Sequence, residues 1–292
     1  MNTVLITGAQ GFFASRFIKY YEKKYNIIGL NHSDIDITDE KETIKTLIKY
    51  RPDYVIHCAA LSDTSFCQNN PEKSYNTNVK GSINVAKGCQ RVKAKLIYFS
   101  SDQVYNGNCE DGPYNEQCIA RPNTVYGNHK MQAEKELIKI IDNLVILRLT
   151  WLFSIPEREI KINSNIVWNV IKATLKNETI KLPSNEYRGI TYVYDLIKNF
   201  DKIINLDKGI YNAGSENELS TYEIGETVLS NMGIGDRASE ILIKDVERYK
   251  IQNRDLRISN DKLKKYNIHF NSTSKAISKC ISNFSFTLKN LS

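Results

Sequence analysis

Tyr126 and Lys130 stand four residues apart in Thr124-Val-Tyr-Gly-Asn-His-Lys130, and Ser101 lies upstream in Phe99-Ser-Ser-Asp-Gln-Val-Tyr105. A phenol is an acid for proton transfer, but its ordinary pKa is about 10, so it needs help near neutral pH. A lysine ammonium beside it supplies that help by favouring the phenolate. The four-residue spacing sets both side chains on one face of a helix. A serine hydroxyl can hold the carbonyl that receives the proton. Alone, Tyr126 reads equally well as a packed aromatic and Lys130 as a surface charge. Their placement after a strand, together with the Ser101 run and a glycine turn, makes the set specific.

A second signal opens the chain. Val4-Leu-Ile-Thr-Gly-Ala-Gln-Gly-Phe-Phe-Ala-Ser15 is a strand-like run, then Gly8-x-x-Gly11-x-x-Ala14, then helix-like sequence. Glycines between a strand and a helix let a pyrophosphate approach the helix N-terminus. The two signals together point to hydride transfer from a nicotinamide cofactor. After the second apolar run, Asn26 to Leu30, this kind of site usually carries an acid for the ribose 2′-hydroxyl. The chain has Asn31-His32-Ser33 there. With no carboxylate to repel a 2′-phosphate, and with His32, Ser33 or Arg16 at hand to contact it, NADPH is favoured over NADH.

The elements that must position these residues alternate. Apolar runs at Thr3 to Ile6, Asn26 to Leu30, Tyr54 to Ala60, Leu96 to Phe99 and Leu144 to Leu149 read as strands covered on both faces. Helical spacing fills the gaps over Phe13 to Lys24, after Asp39-Glu-Lys-Glu42, over 71 to 89, and onward from about Lys130. Strand and helix in alternation predict a doubly wound, Rossmann-like parallel α/β sheet over residues 1–150. Residues 151–292 form mainly a smaller α/β substrate lobe, with a segment at about 189–213 returning to the sheet. In that part Ile166 to Leu175, 221 to 231 and 273 to 285 look helical. Ile180 to Pro183, Thr191 to Leu196 and Gly209 to Tyr211 look like strands.

The bulk properties exclude several classes. The 292 residues are 41% hydrophobic and 25% charged, as in an ordinary globular protein. No apolar run approaches the roughly 18 residues that span a bilayer, and the N-terminus lacks a signal-peptide pattern, so a cytoplasmic location without membrane partners is expected. The net charge of +7 is spread among acids rather than clustered, which argues against nucleic acid and suits an anionic small molecule. The six cysteines include no C-x-x-C pair, so no metal site is expected. A homodimer is the commonest assembly for such proteins.

The chain resembles the extended short-chain dehydrogenase/reductases at Thr7-Gly-Ala-Gln-Gly11, Asp36-Ile-Thr38, His57-Cys-Ala-Ala60, Asn78-Val79, Ser100-Ser101 and Tyr126-x-x-x-Lys130. Among them it is most similar to the dTDP-4-dehydrorhamnose reductases, through Arg51-Pro-Asp53, Pro113-Tyr-Asn-Glu116, Pro122-Asn-Thr-Val-Tyr-Gly127, Arg148-Leu-Thr-Trp-Leu-Phe153, Thr191-Tyr-Val-Tyr-Asp-Leu196 and Tyr211-Asn-Ala-Gly214. The resemblance implies reduction of a keto group on a nucleotide-diphosphate sugar. It implies that Gly8, Gln10, Gly11, Phe12 and Phe13 form the pyrophosphate turn. Asn31, His32, Asp36, Ile37, Ala59, Ala60 and Asn78 would line the rest of the cofactor cleft, with Tyr126 and Lys130. Ser101, Tyr126 and Lys130 would be catalytic, and Ser62, Asp102, Gln103, Trp151, Asn165 and Arg188 would face the substrate. The chain departs from the family at Phe12-Phe13-Ala14, at Ser65-Phe66-Cys67-Gln68 and at Ser101, where the family carries a threonine.

Gln103 bears on the reaction. The related 4,6-dehydratases use an Asp-Glu pair there for elimination, whereas an amide cannot ionise. Two rivals remain: a nucleotide-sugar epimerase that retains its cofactor, and a non-catalytic cofactor-binding regulatory subunit.

Overall fold

Short, β-branched runs bounded by turns become strands, and the amphipathic runs between them become helices. A computed structural model describes residues 1–284. The first part runs β1 (Thr3–Thr7), α1 (Phe12–Tyr21), β2 (Asn26–Leu30), α2 (Glu40–Tyr50), β3 (Tyr54–His57), α3 (Thr64–Asn69), α4 (Pro71–Tyr75), α5 (Ser82–Val92), β4 (Lys95–Ser101), α6 (Val125–Ile140) and β5 (Leu144–Leu149). The second part runs β6 (Trp151–Phe153), α7 (Ile166–Lys176), β7 (Ile180–Pro183), β8 (Glu186–Arg188), β9 (Ile190–Tyr192), α8 (Val193–Lys198), α9 (Phe200–Ile203), β10 (Gly209–Ala213), α10 (Thr221–Asn231), α11 (Ala238–Ile241), β11 (Leu242–Asp245), β12 (Arg254–Leu256), α12 (Asp261–Lys264) and α13 (Thr273–Asn283).

Six strands form one parallel sheet in the order β10-β5-β4-β3-β1-β2. The period-2 alternation divides each strand between two cores. Val4, Ile6, Ile56, Ile97 and Val145 face α1, α8 and α9, where Phe17 and Phe200 pack edge to face. Leu5, Val55, Leu96 and Ile146 face the opposite layer of α2, α5 and α6. Strand order reverses between β1 and β3, which opens a crevice at their carboxyl ends. The register brings Thr7 beside His57, and Ser101 beside Leu149, at that same edge.

A separate core collects Phe153, Val170, Ile224, Val228 and Ile277 under α7, α10 and α13, with short strand pairs β7–β11, β8–β12 and β6–β9 around it. Ser220 and Glu223 form a reciprocal capping box at the start of α10.

Several boundaries differ from expectation for local reasons. β3 stops at His57 rather than Ala60, because the backbone beyond it bonds to side chains: Ala59 N–H donates to Thr7 Oγ1, and Leu61 N–H to Asn78 Oδ1. The helix expected over 71 to 89 is interrupted by a π turn over Asn76–Gly81. Thr191 to Leu196 is strand only to Tyr192, and helix begins at Val193. Gly209 to Tyr211 is strand, extended to Ala213, and joins the central sheet beside β5. The last helical run ends at Asn283, and residue 285 lies outside the described residues.

α6 starts at Val125, ahead of the expected start near Lys130, so it carries Tyr126 and Lys130 together. Thr124 caps it by accepting from Gly127 N–H at 3.1 Å. Gly127 is required by contact: a Cβ there would lie 2.5 Å from the Gln103 carbonyl oxygen. Thr124→Ala should cost about 1 kcal/mol, seen as a lower urea midpoint with unchanged slope; an unchanged midpoint would deny the cap its role.

Candidate active site

The glycine turn is built by close approach. Gly8 adopts φ +70°, and a Cβ there would stand 3.0 Å from the Ala59 backbone. α1 follows with no side chain capping its N-terminus and no acid in its first turn. A cleft of about 700 Å³ lies along this edge, and Gly8, Asn31, His32, Asp36, Ile37, Ala59 and Ala60 all line it. Glu72, Lys73, Asn76 and Thr77 close its other side; nothing in their spacing marked them beforehand, because only the fold brings α4 and the π turn to the crevice. Such a volume, lined at one end by Gly8 of the turn, fits a dinucleotide.

Hydrogen bonds fix the cleft's walls. Asn31 Oδ1 accepts from Gln10 N–H at 2.8 Å, so the end of β2 holds the glycine turn. Asp36 accepts from Thr38 N–H and Oγ1–H, and these bonds hold its carboxyl below the usual range. His57 is buried and pulled down to about 3 by desolvation, then by the charge of Lys130. Ser82 Oγ donates to the Asn78 carbonyl, so His57 Nε2 must donate to Ser82 and His57 Nδ1 accept from Thr7. This is a satisfied core histidine that ties β1 to β3.

Some expected residues are placed differently. Phe13 is buried against Phe17 and Phe99 in the core, so its side chain does not face the cleft. Phe12 lies under the Arg16 guanidinium, 4.2 Å from its ring centroid. Arg16 is not available to a 2′-phosphate: it is fully buried and donates to Glu157 Oε1 at 2.6 Å and to the carbonyls of Phe12 and Lys161. Asn78 is fully buried and spends its amide on Leu61 and Ser74, so it shapes the loop after β3. Asn165 caps α7 and donates to Ser154 and Asn163, with no exposed surface left for a sugar. Ser62 is exposed in the loop after β3.

Ser101, Tyr126 and Lys130 meet at the carboxyl end of β4. Ser101 Oγ donates to Asp102 Oδ1 at 3.1 Å and accepts from Gln103 N–H at 3.2 Å. Tyr126 is 8% exposed, and burial, followed by the Asp102 charge, raises its pKa while a hydrogen bond with Ser101 lowers it. The phenol is therefore protonated at neutral pH. Lys130, 3% exposed, donates to the Phe99 carbonyl at 2.8 Å, and its Nζ lies 5.8 Å from the Tyr126 ring centroid. Desolvation pulls it down to about 8.

Asp102, Gln103, Trp151 and Arg188 come together beside this set. Arg188 donates to Asp102 Oδ2 at 2.8 Å and stacks 5.1 Å over Trp151. Arg254, on β12, donates to Gln103 Oε1 at 3.1 Å and pairs with Glu186 at 2.6 Å. Two arginines from β8 and β12 thus reach the turn that follows Ser101, a link absent from any local sequence pattern. Among the described residues no group of three His, Cys, Asp or Glu side chains is arranged to hold a metal, and no helix is long and apolar enough to cross a membrane.

A Rossmann-like sheet with a glycine turn and a Ser, Tyr and Lys set at its carboxyl edge defines the extended short-chain dehydrogenase/reductase class. Within that class the chain belongs to the RmlD substrate binding domain family, whose model matches residues 1–285. It is 26% identical over 235 residues to the spore coat polysaccharide biosynthesis protein SpsK of Bacillus subtilis, covering 80% of this chain and 81% of that one. It is 26% identical to the dTDP-4-dehydrorhamnose reductase of Aggregatibacter actinomycetemcomitans, over 76% of each chain. The Bacillus anthracis dTDP-4-dehydrorhamnose reductase, solved in complex with NADP, superposes with a TM-score of 0.85 at 22% identity, covering 97% of this chain and 99% of that one.

The buried ammonium has a thermodynamic signature. Its folded pKa lies below its unfolded value, so the folded state binds the proton less well and Lys130 opposes folding at neutral pH. The opposition is full below pH 8 and vanishes as pH rises from about 8 through the unfolded value. Lys130→Met should therefore raise stability by about 1–2 kcal/mol at pH 7, with the gain shrinking above pH 8 in urea titrations. A loss of stability at pH 7 would contradict this environment for Lys130.

Proposed function

We propose that the protein reduces a keto group on a nucleotide-activated deoxysugar, as a dTDP-4-dehydrorhamnose reductase does, using NADPH. The observation that carries this reading is the meeting of a buried Tyr126, which burial holds protonated, with Lys130 and Ser101 at the carboxyl edge of the sheet that also carries the glycine turn and its cleft. NADPH would supply the hydride. Tyr126 donates its proton to the carbonyl oxygen as the carbon is reduced. Ser101 turns its hydroxyl from Asp102 to the same oxygen and holds it. The phenolate left behind is stabilised by the charge of Lys130.

The sheet and its crevice take the cofactor, and the lobe from residue 151 onward presents Trp151 and Arg188 to the sugar diphosphate. NADPH rather than NADH is supported by Asn31 at the end of β2, where an acid would repel a 2′-phosphate, and by the NADP complex of the Bacillus anthracis protein. Gln103, an amide bonded to Arg254, leaves no second acid for elimination. A cytoplasmic homodimer without nucleic-acid or membrane partners completes the reading.

Tyr126→Phe removes the proton donor without touching the glycine turn. It should lower kcat for dTDP-4-dehydrorhamnose reduction by about 10²–10⁴-fold while the NADPH dissociation constant stays within about threefold. Activity retained in this variant would end the assignment of Tyr126.

A further inference from the structure

Lys130 is charged in a site that works against its charge, and what keeps it so is one helical turn away. Glu134 follows it at i+4 on α6, so the two share a face. Glu134 is 2% exposed and accepts from three donor groups of two residues. Ser100 Oγ, on β4, donates to Oε1 at 2.5 Å. Arg148, on β5, donates through Nε at 3.0 Å to Oε1 and through Nη2 at 2.6 Å to Oε2. Arg148 Nη1 goes on to the Tyr105 hydroxyl at 2.8 Å, in the turn that carries Asp102 and Gln103. Neither Glu134 nor Arg148 enters the proton transfer above.

We propose that Glu134 is a positioning residue for the reduction: with Ser100 and Arg148 it sets α6 in register on the sheet, and its charge, balanced by Arg148, keeps Lys130 protonated beside Tyr126. The proposal rests on the reductase reading and gives that site a further part.

The groups facing Lys130 single out Glu134. From beyond β3 comes Cys58 and from α3 Cys67, both thiols that burial, as the leading cause, holds above their ordinary range and therefore uncharged at neutral pH. His57 on β3 is neutral. Tyr98 on β4 lies 4.8 Å from the ammonium and Tyr126 5.8 Å, both as neutral phenols. Among the described residues that act on Lys130, Glu134 alone carries a negative charge. Its own compensation by Arg148 matters equally, because removing either partner leaves the other uncompensated in a low-dielectric site.

The test is the alkaline limb of kcat/KM, which reports the free enzyme's ionisations, for NADPH-dependent reduction of dTDP-4-dehydrorhamnose. In the unaltered protein the limb should fall near the Lys130 value of about 8. Glu134→Gln leaves the Arg148 charge unbalanced and should move the limb down by about one pH unit. Arg148→Met leaves the carboxylate unbalanced and should move it up. Glu134→Gln with Arg148→Met removes both charges and should place the limb between that of Glu134→Gln and that of the unaltered protein, because the Glu134 charge acts on Lys130 directly. If one single variant does not fold, the other and the double variant carry the test. The same displacement is read without turnover, from the pH at which the stabilisation given by adding Lys130→Met to each variant begins to shrink. A limb and an onset that stay fixed in every variant overturn the proposal and leave the pair a purely structural one. Absence of reductase activity in the unaltered protein, with that onset displaced as stated, would instead count against the reductase reading alone.

Discussion

The buried pair Glu134–Arg148 is the constraint on which the arrangement of the site depends. A guanidinium on β5 and a carboxylate on α6 meet between sheet and helix, each nearly without solvent. Burying two charges is costly, and only close geometry with further hydrogen bonds offsets it. Ser100 and Tyr105 supply those bonds, and Tyr105 reaches on to Asn212 of β10 and the Asn115 carbonyl. One network therefore joins β4, β5, β10, α6 and the turn after β4. Ser101 is the neighbour of Ser100, and Lys130 lies one turn from Glu134. Shifting α6 by one residue would break the pair and carry Tyr126 and Lys130 away from Ser101 together.

A second layer of charge joins the two parts of the molecule. Arg188 and Arg254 leave the C-terminal strands and end on Asp102 and Gln103. The residues that follow Ser101 are thus held by the lobe that would carry the sugar. Asp102 is fully buried, and its carboxyl is raised by desolvation against the pull of both arginines. Its charge favours the protonated form of Tyr126, the form a reductase needs at the start of turnover.

Much of the sheet was legible in the sequence because its strands are short apolar runs buried on both faces, and the glycine turn because strand, Gly8-x-x-Gly11 and helix follow without interruption. The Ser101, Tyr126 and Lys130 set was legible through spacing within one helix and one strand. What escaped were relations between distant segments. Phe13 and Arg16 sit where a cofactor turn begins, yet α1 turns them toward the core and the 157–161 loop. Asn165 reads as a polar site residue but is consumed as a helix cap. Glu134 and Arg148 are fourteen residues apart on different elements, and Arg254 is 151 residues from Gln103. No local periodicity carries such pairings; they exist only once the sheet order is set.

The most direct test of the central claim follows the hydride itself. NADPH deuterated at the transferable position of its nicotinamide C4 is incubated with the protein and dTDP-4-dehydrorhamnose, and the sugar is read by mass spectrometry and NMR. The account predicts one NADPH oxidised per sugar reduced, with deuterium on the former carbonyl carbon. A sugar isomerised without net cofactor consumption, or left unchanged by a protein that binds NADPH, would contradict it.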